Sequence, residues 1–245
     1  RLGGDLRLGR RWENFSLGFI IKSERVNLSD ILIPSIVDQA GKYQKNSLTT
    51  SLEYFRLDSK LFPTKGFSST TTAEYAGGPF QGDLNFWKLT LEEHFYYPLP
   101  FKKVIFHSKT YLGTIREMGD TADIPIFERF FGGGIGTVRG YKERSLGPHD
   151  PTTGDPLGGK SLFAQTLEVL YPIYQEILKG VAFFDVGNVW EKAVAFGDLR
   201  KGAGVGLRVV IPLFRTPIQL DYGVALDRKP GEDRGRLHIG MTFGF

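Results

Sequence analysis

Hydrophobic and polar positions alternate one for one over long stretches of this chain. Between 87 and 97, Trp87, Leu89, Leu91, Phe95 and Tyr97 fall on one face, with Glu93 the exception, and Lys88, Thr90, Glu92, His94 and Tyr96 fall on the other. Near the end of the chain Leu237, Ile239, Met241, Phe243 and Phe245 oppose Arg236, His238, Gly240, Thr242 and Gly244. From 217 to 226, Ile218, Leu220, Tyr222, Val224 and Leu226 oppose Gln219, Asp221, Gly223 and Ala225. A period of two marks a strand with two unlike faces. Each run is about ten residues long, which is what a tilted strand needs to cross a bilayer.

A soluble sandwich alternates as well, so the connections decide between the two. Short turns are expected at 10–14, 58–66, 98–103, 172–179 and 212–217, and longer, mostly more polar connections at 23–46, 77–83, 116–159, 191–201 and 227–235. Regular exchange of tight turns with longer polar loops is the habit of an outer-membrane barrel, with the tight turns on the periplasmic side. By that count Phe245 is periplasmic too. Strands are expected to begin near Gly4, Phe15, Ser47, Phe67, Leu84, Val104, Ser161, Gly180, Arg200, Pro217 and Arg236. The pattern therefore predicts an all-β fold, a transmembrane antiparallel up-and-down β-barrel with about 11–12 strands in this chain. Bacterial single-chain barrels normally have an even number of strands, so either this count misses one or further strands belong on the amino-terminal side, which agrees with the abrupt start at Arg1.

Composition narrows the setting. At 245 residues, 13% of them aromatic, one all-β domain spanning 1–245 fits the length. No apolar run approaches the ~20 residues of a transmembrane helix, so entry into a membrane requires a closed barrel. A formal charge of +4 lends little support to nucleic-acid binding. There is no cysteine for a thiolate or a Cys-based metal site, and His94, His107, His149 and His238 are scattered. Asp120, Asp123, Asp150 and Asp155 lack the spacing of a calcium loop. The run GGGIG lacks the Lys-Ser/Thr and the helix that a phosphate cradle needs. No enzymatic activity, metal or cofactor is expected. Arg1 opens into RLGGDLRLGRR with no charged n-region and apolar core, so a signal peptide is expected upstream of these residues.

The densest chemical signal is FFGGGIGTVRGY at 130–141, which places Arg139 inside a loop carrying glycines at 132, 133, 134, 136 and 140. Those glycines are expected to let the loop fold back on itself. A guanidinium held at a defined place calls for a carboxylate or a phosphate. Glu168 and Asp185 each interrupt otherwise apolar strand sequence, and a charge facing lipid is costly, so both are expected to face inward. They could equally line a wet lumen.

ERFFGGGIGTVRGY, followed by SLGPHD and DPLGGK, then TLEVLYP and FFDVGNVW, with LFPTKG as an upstream turn, resembles the outer-membrane assembly factors typified by BamA and TamA. The two-partner secretion transporters are cousins of that family. The resemblance runs from about residue 47 to 245. It implies the C-terminal portion of a barrel of about 16 strands, in the outer membrane of a Gram-negative bacterium. The 116–159 loop would fold into the lumen, and periplasmic POTRA domains, absent from this chain, would precede the barrel. It implies that Glu168 and Asp185 hold Arg139, with Gly132, Gly133, Gly134, Val138, Gly140 and Tyr141 completing the VRGY loop. It further implies insertion and folding of client outer-membrane proteins by lateral opening between the first and last strands. Partners would be those clients, outer-membrane lipid and periplasmic accessory lipoproteins reached through the absent N-terminal domains. A polypeptide secretion pore is the alternative, and a passive porin a more distant one. Finally, His238, Gly240, Phe243 and Phe245 fit the spacing of the carboxy-terminal barrel recognition signal. Gly240 and Gly244 would leave a weak seam where the barrel closes.

Overall fold

In a computed structural model, each strand pairs antiparallel with the next in the chain. The structure describes all residues except 60–61, 101–102, 175–176, 212–215 and 242–245, and the side chains of 210, 211, 216 and 217. The strands are β1 (Leu2–Arg11), β2 (Phe15–Leu28), β3 (Gly41–Leu57), β4 (Gly66–Ala76), β5 (Phe86–Pro98), β6 (Ile105–Glu117), β7 (Ser161–Tyr174), β8 (Leu178–Trp190), β9 (Arg200–Ile211), β10 (Thr216–Ala225) and β11 (Gly235–Met241). They form one eleven-stranded sheet in sequence order, with β1 and β11 at its two ends. The all-β, up-and-down expectation holds. Phe243, Gly244 and Phe245 lie outside the described residues, as does Leu61 of the LFPTKG turn.

One connection differs from expectation. β2 and β3 pair from Phe15↔Tyr54 as far as Leu28↔Gly41, so the connection expected at 23–46 shrinks to 29–40. Two of the polar residues in that stretch, Glu24 and Lys45, are buried on the inner face of two long strands. In a barrel whose inner face is polar, polarity by itself does not distinguish strand from loop.

The faces sort as the alternation requires. Ile239 is 68% exposed whereas the adjacent His238 is 5% exposed. Likewise Leu167 and Val169 are exposed around buried Glu168, and Phe184 is exposed beside buried Asp185. The outward face is the apolar one, as befits a wall solvated by lipid.

Residues 118–160 between β6 and β7 fold against the inner face. Phe86, Ile115, Ile124, Phe130, Leu162 and Val189 form a buried cluster there, with Tyr43, Tyr111 and Phe127 packed around it. Gly113 on β6 makes room for this loop, since a Cβ there would meet the Phe130 ring at 2.6 Å. Burying such an aromatic ring contributes roughly 1.5–3 kcal/mol.

The far part of the loop is tied to the β2–β3 connection. Buried Asp150 accepts hydrogen bonds from the backbone N–H groups of Ser35 (3.0 Å), Thr152 (2.8 Å) and Thr153 (2.8 Å). The Ser35 side chain foremost, and then these backbone donors, hold its carboxyl well below the usual carboxylate range. A depressed carboxyl stabilises docking fully above its unfolded value, and the contribution is lost as pH falls through the folded value. Proteolysis of 148–157 should therefore be unchanged between pH 7 and 5 and rise only in strong acid, and Asp150→Asn should remove that pH dependence.

Candidate functional site

Val138 to Tyr141 cross the inner face of β7 to β11, and Arg139 is buried at 3% exposure. Its Nε and Nη2 donate to the two carboxylate oxygens of Asp185 on β8, at 2.7 and 2.8 Å. The Arg139 backbone N–H reaches the same carboxylate at 3.0 Å. Nη1 donates to Glu168 on β7 and to Asp221 on β10, each at 2.8 Å. The Phe183 ring lies 3.5 Å from the guanidinium carbon, a cation–π contact that closes one face of the fork. The structure thus brings Arg139, Glu168 and Asp185 together and adds a third carboxylate, Asp221, for which the sequence reading had no role beyond the polar face of its strand.

A second arginine completes the cluster. Arg208 on β9 donates to Asp221 at 2.5 Å and to Glu168 at 2.9 Å. Glu168 also meets His107 on β6 at 3.0 Å, His107 meets His94 on β5 at 3.1 Å, and His94 meets Glu92 at 3.1 Å. The two guanidiniums together face Glu168, Asp185 and Asp221, while Glu92 is paired with Lys109 at 2.9 Å. The two histidines are part of the wall that receives Arg139, where the sequence showed only lumen lining.

Glycine decides how closely the loop backbone lies on the wall. A Cβ at Gly202 on β9 would stand 1.9 Å from the Arg139 carbonyl oxygen, and one at Gly223 on β10 would stand 2.5 Å from the Gly140 nitrogen. A Cβ at Gly206 would stand 1.7 Å from the Asp221 carboxylate. The signal was present in the chain as KGAGVGLR, where every inward position from 202 to 206 is glycine before Arg208. Within the loop, Gly133, Gly134 and Gly140 adopt φ of 97°, 88° and 95°, the left-handed region that favours glycine. Gly132 and Gly136 do not adopt it. Gly132 instead packs close to Val189, and Gly136 faces open space.

Val138 is fully buried, in a small cluster with Tyr141, Leu146 and Ala225. The Tyr141 hydroxyl donates to the Lys201 carbonyl at 3.1 Å and to Asp227. Burial first, and then Asp227, push its pKa up to about 12, so it remains a donor at neutral pH. The Gly140 N–H donates to His238 Nε2 on β11 at 3.0 Å, and Gly240 lies under Ile135, where a Cβ would meet the isoleucine at 2.6 Å. His238 and Gly240 are therefore seats for the loop.

The whole chain, residues 1–245, matches the Omp85 superfamily domain. The chain belongs to the Omp85 superfamily. It is 36% identical over 190 residues to "Outer membrane protein assembly factor BamA" of Nitratidesulfovibrio vulgaris, covering 75% of this chain and 24% of that protein. It is 27% identical over 226 residues to human "Sorting and assembly machinery component 50 homolog", covering 84% of this chain and 46% of that protein. The chain thus spans a quarter to a half of the length of these relatives. In fold it is similar to BamA from Haemophilus ducreyi lacking POTRA domains 1–3, with a TM-score of 0.79 and 19% identity over 98% of this chain and 53% of the other. It is similar also to CdiB from Acinetobacter baumannii, with a TM-score of 0.57 and 15% identity over 97% of this chain and 40% of the other. This Omp85 domain accordingly sits among the BamA- and Sam50-like assembly factors, and it is an outer-membrane β-barrel of the Gram-negative type.

Proposed function

We propose that this domain is the membrane part of a factor that inserts and folds client β-barrel proteins in the outer membrane. The observation that carries the reading is the Arg139 lock. A loop guanidinium donates four hydrogen bonds to three buried carboxylates from β7, β8 and β10, an arrangement of the kind that preorganises a working surface. Its relatives are named as assembly factors, not as enzymes.

In this reading the lock holds the wall in one curvature, while work is done at the sheet ends. Lateral opening between the first and last strands of the complete barrel exposes backbone N–H and C=O groups, and client strands pair with them by β-augmentation. Clients and outer-membrane lipid are the direct partners, and accessory lipoproteins dock on amino-terminal domains outside this chain. No cofactor enters the mechanism.

The test is client folding into liposomes that contain the full-length protein, followed by protease resistance of a barrel substrate. Acceleration by wild type that is lost in Arg139→Ala at equal membrane insertion supports the reading. Partner-dependent export without client folding, or steady conductance indifferent to Arg139, would replace it with a secretion pore or a passive porin.

A further inference from the structure

The long loop carries another buried charge, which meets different strands from those that hold Arg139. Glu128, in the short 3-10 turn Ile126–Glu128, is 4% exposed. Its carboxylate accepts a hydrogen bond from Lys45 on β3 at 2.8 Å and lies 3.6 Å from Lys88 on β5. The Lys88 ammonium also donates to the Glu128 carbonyl oxygen at 2.8 Å. Lys45 is itself 4% exposed, and its ammonium stands 3.0 Å from Glu24 on β2 and 3.2 Å from Glu74 on β4. Glu24 in turn pairs with Lys22 at 2.8 Å.

Four neighbouring strands therefore present alternating charge on their inner face: Glu24, Lys45, Glu74 and Lys88. With Lys22, these wall residues carry three ammonium groups against the two carboxylates of Glu24 and Glu74, so one positive charge is left for the loop to meet. Glu128 enters this row between the two cations, so its partners are the ones the wall leaves available to the loop. Two residues on, Phe130 sits in the dimple at Gly113 on β6, and Lys88 lies 4.9 Å from the Phe130 ring. Thirteen positions separate Phe127 from Gly140, and between them this one segment meets β3, β5 and β6 at one end and β7 to β11 at the other.

We infer that Lys45, Lys88 and Glu128 form a second latch, which makes the loop a brace between the two parts of the wall rather than a plug held at one point. Lys45 and Lys88 are positioning residues. They act by fixing where the root of the loop stands, and so the direction from which Arg139 reaches its carboxylates. The two latches share no residue, so each holds when the other is broken. The structural part of this inference is independent of function, and its effect on client folding rests on the assembly reading above.

The experiment uses the full-length protein in liposomes, with Glu128→Gln, Glu128→Asp, Arg139→Ala and the Glu128→Gln/Arg139→Ala double variant. Trypsin cleavage after Lys142 or Arg144, both exposed, reports release of the loop, and heat-modifiable gel mobility reports whether the barrel is folded. Glu128→Gln keeps the shape of the side chain and leaves Lys45 its contacts with Glu24 and Glu74, so normal mobility is expected. Loop cleavage should rise about tenfold or more, the scale of a lost buried charged hydrogen bond, with Glu128→Asp recovering part of it. The double variant should be cleaved faster than either single variant. Client folding should slow in the same order. If Glu128→Gln fails to fold, Lys88→Gln takes its place, since it leaves Lys45 untouched. Cleavage as slow as wild type in the folded variant, or a double variant no faster than Arg139→Ala, overturns the second latch. If wild type does not accelerate client folding, the assembly reading falls while the cleavage data still decide the latch.

Discussion

Arg139→Ala should release the loop from the wall and abolish the acceleration of client folding, while the strands keep their pairing. The substitution leaves Glu168, Asp185 and Asp221 buried with one guanidinium, Arg208, to neutralise them, and Asp185 keeps no cationic partner among the contacts described above. Breaking a buried pair by removing one partner costs about 3–5 kcal/mol, because the other charge is left desolvated. That range corresponds to a shift of roughly a hundredfold to a thousandfold or more in the docking equilibrium. Arg139→Lys should rescue little. An ammonium is a point charge and cannot span Asp185 bidentately while also reaching Glu168 and Asp221. A double-mutant cycle with Asp185→Ala measures the unit directly. Effects on loop cleavage that simply add would show that the two residues do not act together.

Gly202→Ala is expected to be nearly as damaging, for a steric reason. The new Cβ would stand 1.9 Å from the Arg139 carbonyl oxygen, and the obstacle is backbone, which cannot swing aside as a flexible side chain does. Overpacking of this kind costs about 1–3 kcal/mol. Here it should also lift Arg139 away from Asp185, so part of the electrostatic loss is added. Gly223→Ala should behave alike, with a Cβ at 2.5 Å from the Gly140 nitrogen. Val205 is the control, because it lies on the same strand as Gly202 but is 61% exposed on the lipid side. Val205→Ala should leave loop cleavage and client folding within about twofold of wild type, as surface substitutions usually do. Equal effects at 202 and 205 would mean that the inward glycines do not set the seat of the loop.

What local pattern could specify was legible without coordinates. The strands, their faces and the sites of the turns follow from a period of two, because each depends on neighbours in sequence. The connection expected at 23–46 came out too long where that pattern is weakest, in long strands whose inward residues, such as Glu24 and Lys45, are polar. Glu168 and Asp185 stood out as charges in otherwise apolar strand sequence, and Arg139 as the guanidinium of a glycine-dense loop. Asp221 carried the same signal, a carboxylate in IQLDYG, and was read only as part of a polar face.

The sequence alone determined that the chain is a wall of antiparallel strands with an apolar outward face and a glycine-rich loop carrying one arginine. Only the tertiary structure decided which charges meet. Arg139 lies 46 positions from Asp185 and 82 from Asp221, and Lys45 lies 83 from Glu128. Those encounters depend on the registers of several strand pairs together with the path of the loop. No single segment encodes them, because a shift of one residue in any register would turn an inward carboxylate out to lipid.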